Sequence, residues 1–201
     1  TVNYSTFSSN ESMYAKIESG SASYDVIIPS DYMIERMVKE DMLEPLDLEK
    51  IPNYKYIDEK FKGDNVYYEG DSTETYSVPY FYGMIGVIYN TSIVSEEDAE
   101  LESWSLMWNE NYIRDILQFN NSRDAFGTAL YYLGHDVNDL SEASLPNWIE
   151  ALNLLKEQKN VVQAYVMDQI FDKLAEENAW IGPYYAGDYI TMSETNPDLA
   201  F

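Results

Sequence analysis

At three points in this 201-residue chain an apolar run gives way to a helical pattern through polar or aromatic groups. Ser30 and Tyr32 follow the run at 26–29, Asn121 and Asp124 follow 116–119, and Tyr185 and Asp188 follow the apolar stretch at 180–182. Hydroxyl and carboxamide oxygens and a carboxylate can accept hydrogen bonds from a small polar or cationic ligand, and a phenol face can cover its carbon chain. In open α/β sheets such ligands collect outside the carboxyl ends of the strands. Each point also has a plain structural reading. Ser30 or Asp31 can cap the next helix, Asp124 can complement a helix dipole, and Gly187-Asp188 suits a turn. Repetition at three junctions favours a binding site.

Bond-making chemistry is poorly represented. His135 is the single histidine and cysteine is absent, which argues against histidine-rich or thiolate metal sites and a serine–histidine–aspartate triad. His135 follows Gly134 at a predicted helix end, where a capping or surface role suits it. The glycine-rich phosphate cradles G-x-x-x-x-G-K-[ST] and G-x-G-x-x-G do not occur, and the acids of "DNVYYEGDSTE" (64–74) lack calcium-loop spacing. Asn109-Glu110 behind an aromatic cluster could imitate one carboxylate of a glycoside hydrolase, but a surface turn explains it as well.

The charge points the same way as the junctions. Thirty-six Asp and Glu face 12 Lys and Arg, a formal net charge of −24. That field repels nucleic acid and anionic membranes and draws cations toward any acidic concavity. Most of these carboxylates read as solvated surface. The 19 tyrosines read mainly as packing residues, though their faces also suit a cation.

The elements that would position these groups alternate. Residues 2–7 read as a strand. Ser9 or Asn10 then caps a helix through Met13, Ala15 and Ile17 that Gly20 ends. The run Val26-Ile27-Ile28 predicts a strand buried on both faces, followed by a helix with Met33 and Met37 on one side. Residues 44–76, with Pro45, Pro52, Gly63 and Gly70, read as connecting structure. A strand over 84–89 follows, then a capped acidic stretch at 95–98, and Trp104, Leu106, Met107 and Trp108 as a core cluster. The strand 116–119 runs into a helix striped by Phe126, Leu130 and Leu133. A helix over 144–158 has Trp148, Leu152 and Leu155 inward. A strand at 161–166, a helix at 169–177, a glycine turn in "YYAGDY" and helix resuming at 189–192 complete the pattern. Strand–helix alternation predicts an α/β class with a parallel sheet.

Six stretches resemble the bacterial spermidine/putrescine-binding proteins, the polyamine receptors of ABC importers. They are "STFSSNESMYAKI" (5–17), "YDVIIPSDYMIERMVKEDMLEPLD" (24–47), "SVPYFYGMIGVIYN" (77–90), "SWSLMW" (103–108), "NNSRDAF" (120–126) and "YAGDYITMSETNPDL" (185–199), in that family's order. The resemblance implies a type II periplasmic-binding-protein fold, α/β, with two lobes and a ligand cleft between them. It implies Ser30 and Tyr32 as ligand contacts. It places the family's acidic pair on Asn121 and Asp124, the asparagine being a departure that brings no charge. A second-lobe aromatic falls near Tyr185, with Asp188 as an alternative contact and Tyr82 as a further candidate.

The resemblance also implies an internal fragment. Family members begin earlier and continue beyond residue 199, so the expected first lobe, 1–86, is incomplete, and the second is 87–201. The expected function is a non-enzymatic, extracytoplasmic solute-binding protein that captures spermidine or putrescine and delivers it to permease subunits. It needs no cofactor or metal, has no nucleic-acid partner, and is monomeric at full length. The alternatives are a receptor for another small cation or organic solute, and a carboxylate-based glycoside hydrolase.

Overall fold

The computed structural model describes residues 1–62, 75–99 and 103–201. The turns expected at Gly63 and Gly70 and the acids of 64–74 lie outside the described residues. The chain divides into two compact units, Thr1–Tyr82 and Gly83–Phe201.

The first unit is built on two short helices. Helix α1 (Asn10–Glu18) starts at Ser9, whose hydroxyl accepts from the Ser12 amide while the Ser12 hydroxyl accepts from the Ser9 amide. Two amides that a helix start leaves without partners are thereby satisfied. Gly20, at φ +68°, takes the left-handed backbone just past the end. Helix α2 (Asp31–Lys39) buries Met33 and Met37, one turn apart, against Met13 and Tyr14, with Ile17, Ile27, Met42 and Leu43 packed around them. A polar latch flanks this core. The Tyr14 hydroxyl donates to Glu40 Oε2 at 2.6 Å and lies 3.1 Å from Glu18 Oε1, and the Arg36 guanidinium sits 3.8 Å above the Tyr14 ring. Arg36 also reaches Glu40 at 3.0 Å. The hydrogen bond from Tyr14, then that from Arg36, holds the Glu40 carboxyl below its usual range. The same bond to Glu40 pushes the Tyr14 phenol up to about 12.

The strands expected at 2–7 and around Val26-Ile27-Ile28 are not formed. The described residues of this unit contain no β-strand. Val2 and Tyr4 are 87% and 82% exposed, and Val26 and Ile28 are 79% and 59% exposed, while Ile27 packs on the methionine core. An apolar β-branched run states what a strand would bury, but a strand forms only where a neighbour offers its own N–H and C=O groups. These runs have no such neighbour among the described residues, so residues 26–28 alternate out, in, out.

The second unit holds a five-stranded sheet of β1 (Ile85–Asn90), β2 (Ile116–Phe119), β3 (Val162–Val166), β4 (Ile181–Tyr185) and β5 (Leu199–Ala200), in the order β3-β2-β4-β1-β5. β2 runs parallel to β3 and β4, whereas β1 is antiparallel to both β4 and β5. The sheet is therefore mixed where a parallel one was expected. Among the described residues five α-helices accompany it: α3 (Glu96–Ala99), α4 (Ser122–Leu133), α5 (Leu145–Gln158), α6 (Gln169–Ala175) and α7 (Ala186–Thr195). Alternation along β2 splits its burial. Leu117 and Phe119 pack with Ile170, Leu174 and Met192, while Ile116 packs with Leu106, Met107, Val162 and Ile181. On α5 the inward stripe is Trp148, Ala151, Leu155 and Gln158, following helical spacing, and Leu152 faces outward at 39% exposure.

β4 is the element the sequence pattern hides. The expected glycine turn is instead a buried strand running to Tyr185, and Gly187 lies in the first turn of α7. Pro183 argues against an interior strand, since it has no N–H to give. The register explains how it is accommodated. The Ala186 amide donates to Met84 and the Asn90 amide to Trp180, so alternate residues of β4 form the hydrogen-bonded pairs with β1. Pro183, opposite Val87, falls between them and withholds no bond from β1.

A buried polar network fastens β2 to both neighbouring helices. Gln118, fully buried, donates from Nε2 to Thr128 Oγ1 and to Gln158 Oε1, both at 3.0 Å, and its Oε1 accepts from the Phe119 amide at 2.8 Å. Gln158, also fully buried, donates on to the Met107 carbonyl at 3.0 Å, and Thr128 donates to the Ala125 carbonyl at 2.8 Å.

Two predictions follow from these contacts. Gln118→Leu keeps the volume but leaves Gln158 Oε1 without its donor, so it is expected to cost about 2–3 kcal/mol. All four tryptophans lie in the second unit. Urea unfolding followed by tryptophan fluorescence therefore reads that unit, and an unchanged midpoint would show that the network is dispensable. In the first unit, Glu40 has a lowered pKa in the fold, so its contribution is present above its ordinary value of 4.5 and lost as pH falls below it. Tyr14 has a raised pKa, so its contribution is present below 10.0 and lost as pH rises toward about 12. Melting followed by the Met13, Met33 and Met37 methyl resonances should weaken at both ends, and Glu40→Gln should flatten the acid limb.

Candidate functional site

Because β2 and β4 are parallel neighbours, their carboxyl ends emerge at one edge of the sheet. The second unit thereby brings together residues that the sequence separates by more than 60 positions. Asn121 follows β2 and forms the N-cap of α4; its Oδ1 accepts from the Arg123 amide at 2.9 Å and the Asp124 amide at 3.3 Å. Asn121 is buried, held by the strand before it and the helix after it. Asp124 sits in the first turn of α4, where the helix dipole favours a carboxylate. Asp124 also lines a cavity of about 180 Å³ together with Arg123, Trp104, Gly127, Tyr131 and Trp148; Asn121, Tyr185 and Asp188 do not line it. Trp104 and Tyr131 stack there with ring centroids 5.9 Å apart. The aromatic faces and the Asp124 carboxylate suit an ammonium or a methylene chain ending in one, while the Arg123 guanidinium on the same wall opposes a second positive charge.

Tyr185 ends β4 and leads into α7. Its ring lies 6.1 Å from Phe119, the last residue of β2, and 5.1 Å from Tyr184. Asp188 occupies the first turn of α7. Burial, with Asp188 and then Asp168 adding negative charge, pushes the Tyr184 phenol well above its ordinary range. That phenol stays protonated, and the local field at this end of the sheet is negative.

In the first unit, Ser30 and Tyr32 sit at the start of α2, and both are tied to α1. The Asn10 Nδ2 donates to Ser30 Oγ at 3.0 Å and to the Tyr32 hydroxyl at 2.9 Å, and the Ser30 amide donates to Asn10 Oδ1 at 3.1 Å. The Tyr32 hydroxyl in turn donates to Glu11 Oε1 at 2.9 Å. Ser30 holds the N-cap position of α2 but makes no side-chain cap bond, and Asp31 Oδ1 accepts from the Tyr32 amide at 2.7 Å. Tyr82 is 77% exposed, with its ring 4.5 Å from Phe61 and 5.6 Å from the Lys60 ammonium. A resident ammonium beside that ring makes it a poorer cation wall than Tyr32.

Sequence reasoning missed Asn10, Glu11 and the aromatic lining around Asp124. Asn10 reads locally as a helix-start residue, and its partners lie 20 and 22 positions away. Asn109-Glu110 is a structural turn. Asn109 accepts from the Asn111 amide and donates to Asp98, while Glu110 is exposed. His135 is 3.0 Å from Glu150, a surface contact.

No helix among the described residues is long and apolar enough to cross a membrane. The chain is 30% identical over 198 residues to the spermidine/putrescine-binding periplasmic protein of Salmonella typhimurium, an alignment covering 98% of this chain and 54% of that relative. Among solved structures it is similar to the TpPotD lipoprotein of Treponema pallidum, with a TM-score of 0.80 and 26% identity, covering 97% of this chain and 59% of that one. It is similar also to the spermidine/putrescine ABC transporter substrate-binding protein PotD of Streptococcus pneumoniae, with a TM-score of 0.70 and 33% identity, covering all of this chain and 59% of that one. The chain thus spans little more than half the length of these relatives. Its fold is that of the type II periplasmic-binding-protein class. The family model for bacterial extracellular solute-binding proteins matches residues 1–201, and the chain belongs to that family.

Proposed function

We propose that this chain is part of an extracytoplasmic, non-enzymatic receptor that captures spermidine or putrescine and presents it to the permease of an ABC importer. The observation that carries the reading is the placement of Asn121, Asp124 and Tyr185 just beyond the carboxyl ends of parallel β2 and β4, with Asp124 lining an aromatic cavity that Tyr185 does not reach. Asp124 supplies the charge for a protonated amine, Asn121 fixes the helix start that presents it, and Tyr185 offers a ring for the methylenes. Within the first unit, Ser30 and Tyr32 are the hydroxyls offered to a ligand. The net charge of −24 adds long-range attraction for a multiply charged amine. The names of the relatives support the choice of ligand, and the boundaries proposed for the lobes are 1–86 and 87–201.

Calorimetric titration of putrescine and spermidine into the gene-length protein tests this. Asp124→Ala removes an anionic partner and should weaken binding roughly 10- to 100-fold, about 1.4–2.7 kcal/mol. Higher salt should weaken binding further, since part of the attraction is screened. An absence of heat with both amines, or an Asp124→Ala protein that binds as well as its parent, would sink the polyamine assignment.

A further inference from the structure

Asn10 is a polar side chain buried to 7% exposure in a unit whose core is otherwise methionine and tyrosine. A buried carboxamide is stable only if its donors and acceptor find partners. Those partners could have been the backbone of its own helix, since Asn10 stands in the first turn of α1. They are not, because Ser9 and Ser12 already cap that helix between them. The Asn10 carboxamide bonds instead to Ser30 and Tyr32.

The orientation of the carboxamide follows from chemistry. The Ser30 amide can only donate, so the atom facing it at 3.1 Å is Oδ1. Nδ2 therefore faces the two hydroxyls and donates to both. A hydroxyl that accepts from Nδ2 directs its own proton elsewhere, and that of Tyr32 goes to Glu11. Ser30 gives up something as well. Its position calls for a cap bond to α2, yet its side chain makes none and lies against Asn10 instead. Local rules set aside at one place mark functional positions more often than packing accidents.

We infer that Asn10 is the positioning residue of the first unit's binding groups: it fixes the Ser30 and Tyr32 hydroxyls and, through Tyr32, orders the Glu11 carboxylate beside them. For the identity of the ligand this rests on the polyamine reading; the clamp itself does not. Glu11 thereby becomes a fixed negative charge next to Tyr32, chemistry that selects a protonated amine over a neutral or anionic solute.

Two arms test this in the gene-length protein. The first needs no ligand. Asn10→Ala should speed amide hydrogen exchange at Ser30 by at least about tenfold while the Met37 amide in α2 stays within about twofold. Unchanged exchange at Ser30, or equal acceleration at Met37, would overturn the clamp. The second arm is a mutant cycle read by titration with putrescine and spermidine. Asn10→Ala should weaken binding about tenfold in the parent and less than about twofold when Ser30→Ala and Tyr32→Phe are already present. Equal losses in both backgrounds would show a general structural role and refute the positioning. Should Asn10→Ala fail to fold, the near-isosteric Asn10→Leu serves: it fills the same space but makes none of the three bonds, so both arms keep their expected pattern. If the parent binds neither amine, the polyamine reading fails and the exchange arm alone decides the clamp.

Discussion

The second unit depends on one buried side chain. Gln118 sits in a strand whose four residues are all inaccessible to water, where an apolar residue would pack at lower desolvation cost. Its carboxamide instead ties β2 to α4 through Thr128 and to α5 through Gln158, which reaches on to the Met107 carbonyl. Hydrogen bonds are directional where dispersion is not, so this network sets a distance and a rotation that Leu117 and Ile116 alone would leave loose. Asn121 and Asp124 start the helix that Thr128 anchors. Whatever Asp124 meets, it meets from a position fixed one turn further along its own helix.

The first unit solves the same problem with less core. Among the described residues only Met13, Tyr14, Met33 and Met37 are both apolar and buried there, and methionine is a flexible filler that specifies geometry weakly. Specificity comes from two polar devices at opposite ends of the α1–α2 pair. Tyr14, Arg36 and Glu40 hold one end, and Asn10 with Ser30 and Tyr32 holds the other. The exposed pairs Lys39–Glu35 and Lys50–Asp47 contribute little by comparison, since water screens them on both sides.

Several elements were legible before any coordinates. The Met33–Met37 spacing, the Ser9 cap, the Gly20 and Gly134 stops and the strand at 116–119 are local signals, and each is present. The misses share a cause. The runs at 2–7 and 24–29 carry strand composition, but strand formation is a property of a pair. β4 was hidden by Pro183, which the antiparallel register with β1 puts at a position that donates nothing across that pair. Leu152 reads as inward from its i, i+4 spacing to Trp148, but the face that packs holds Ala151 against α4 and Gln158 against β2, and Leu152 lies off it.

The site divides along the same line. The residue types were determined by the sequence: a carboxylate, carboxamide and phenol beside strand ends, in a chain charged to −24, with a single histidine and no cysteine. Those facts name the groups a site could use, and no fold is needed to see them. Tertiary structure decided which of these groups share a neighbourhood. Parallel pairing of β2 and β4 brings Asn121 and Tyr185 to one edge, and helix packing in the first unit places Asn10 on Ser30 and Tyr32. Side-chain chemistry is a local property of the chain, whereas strand pairing and helix contact join residues tens of positions apart, and only the folded backbone specifies them.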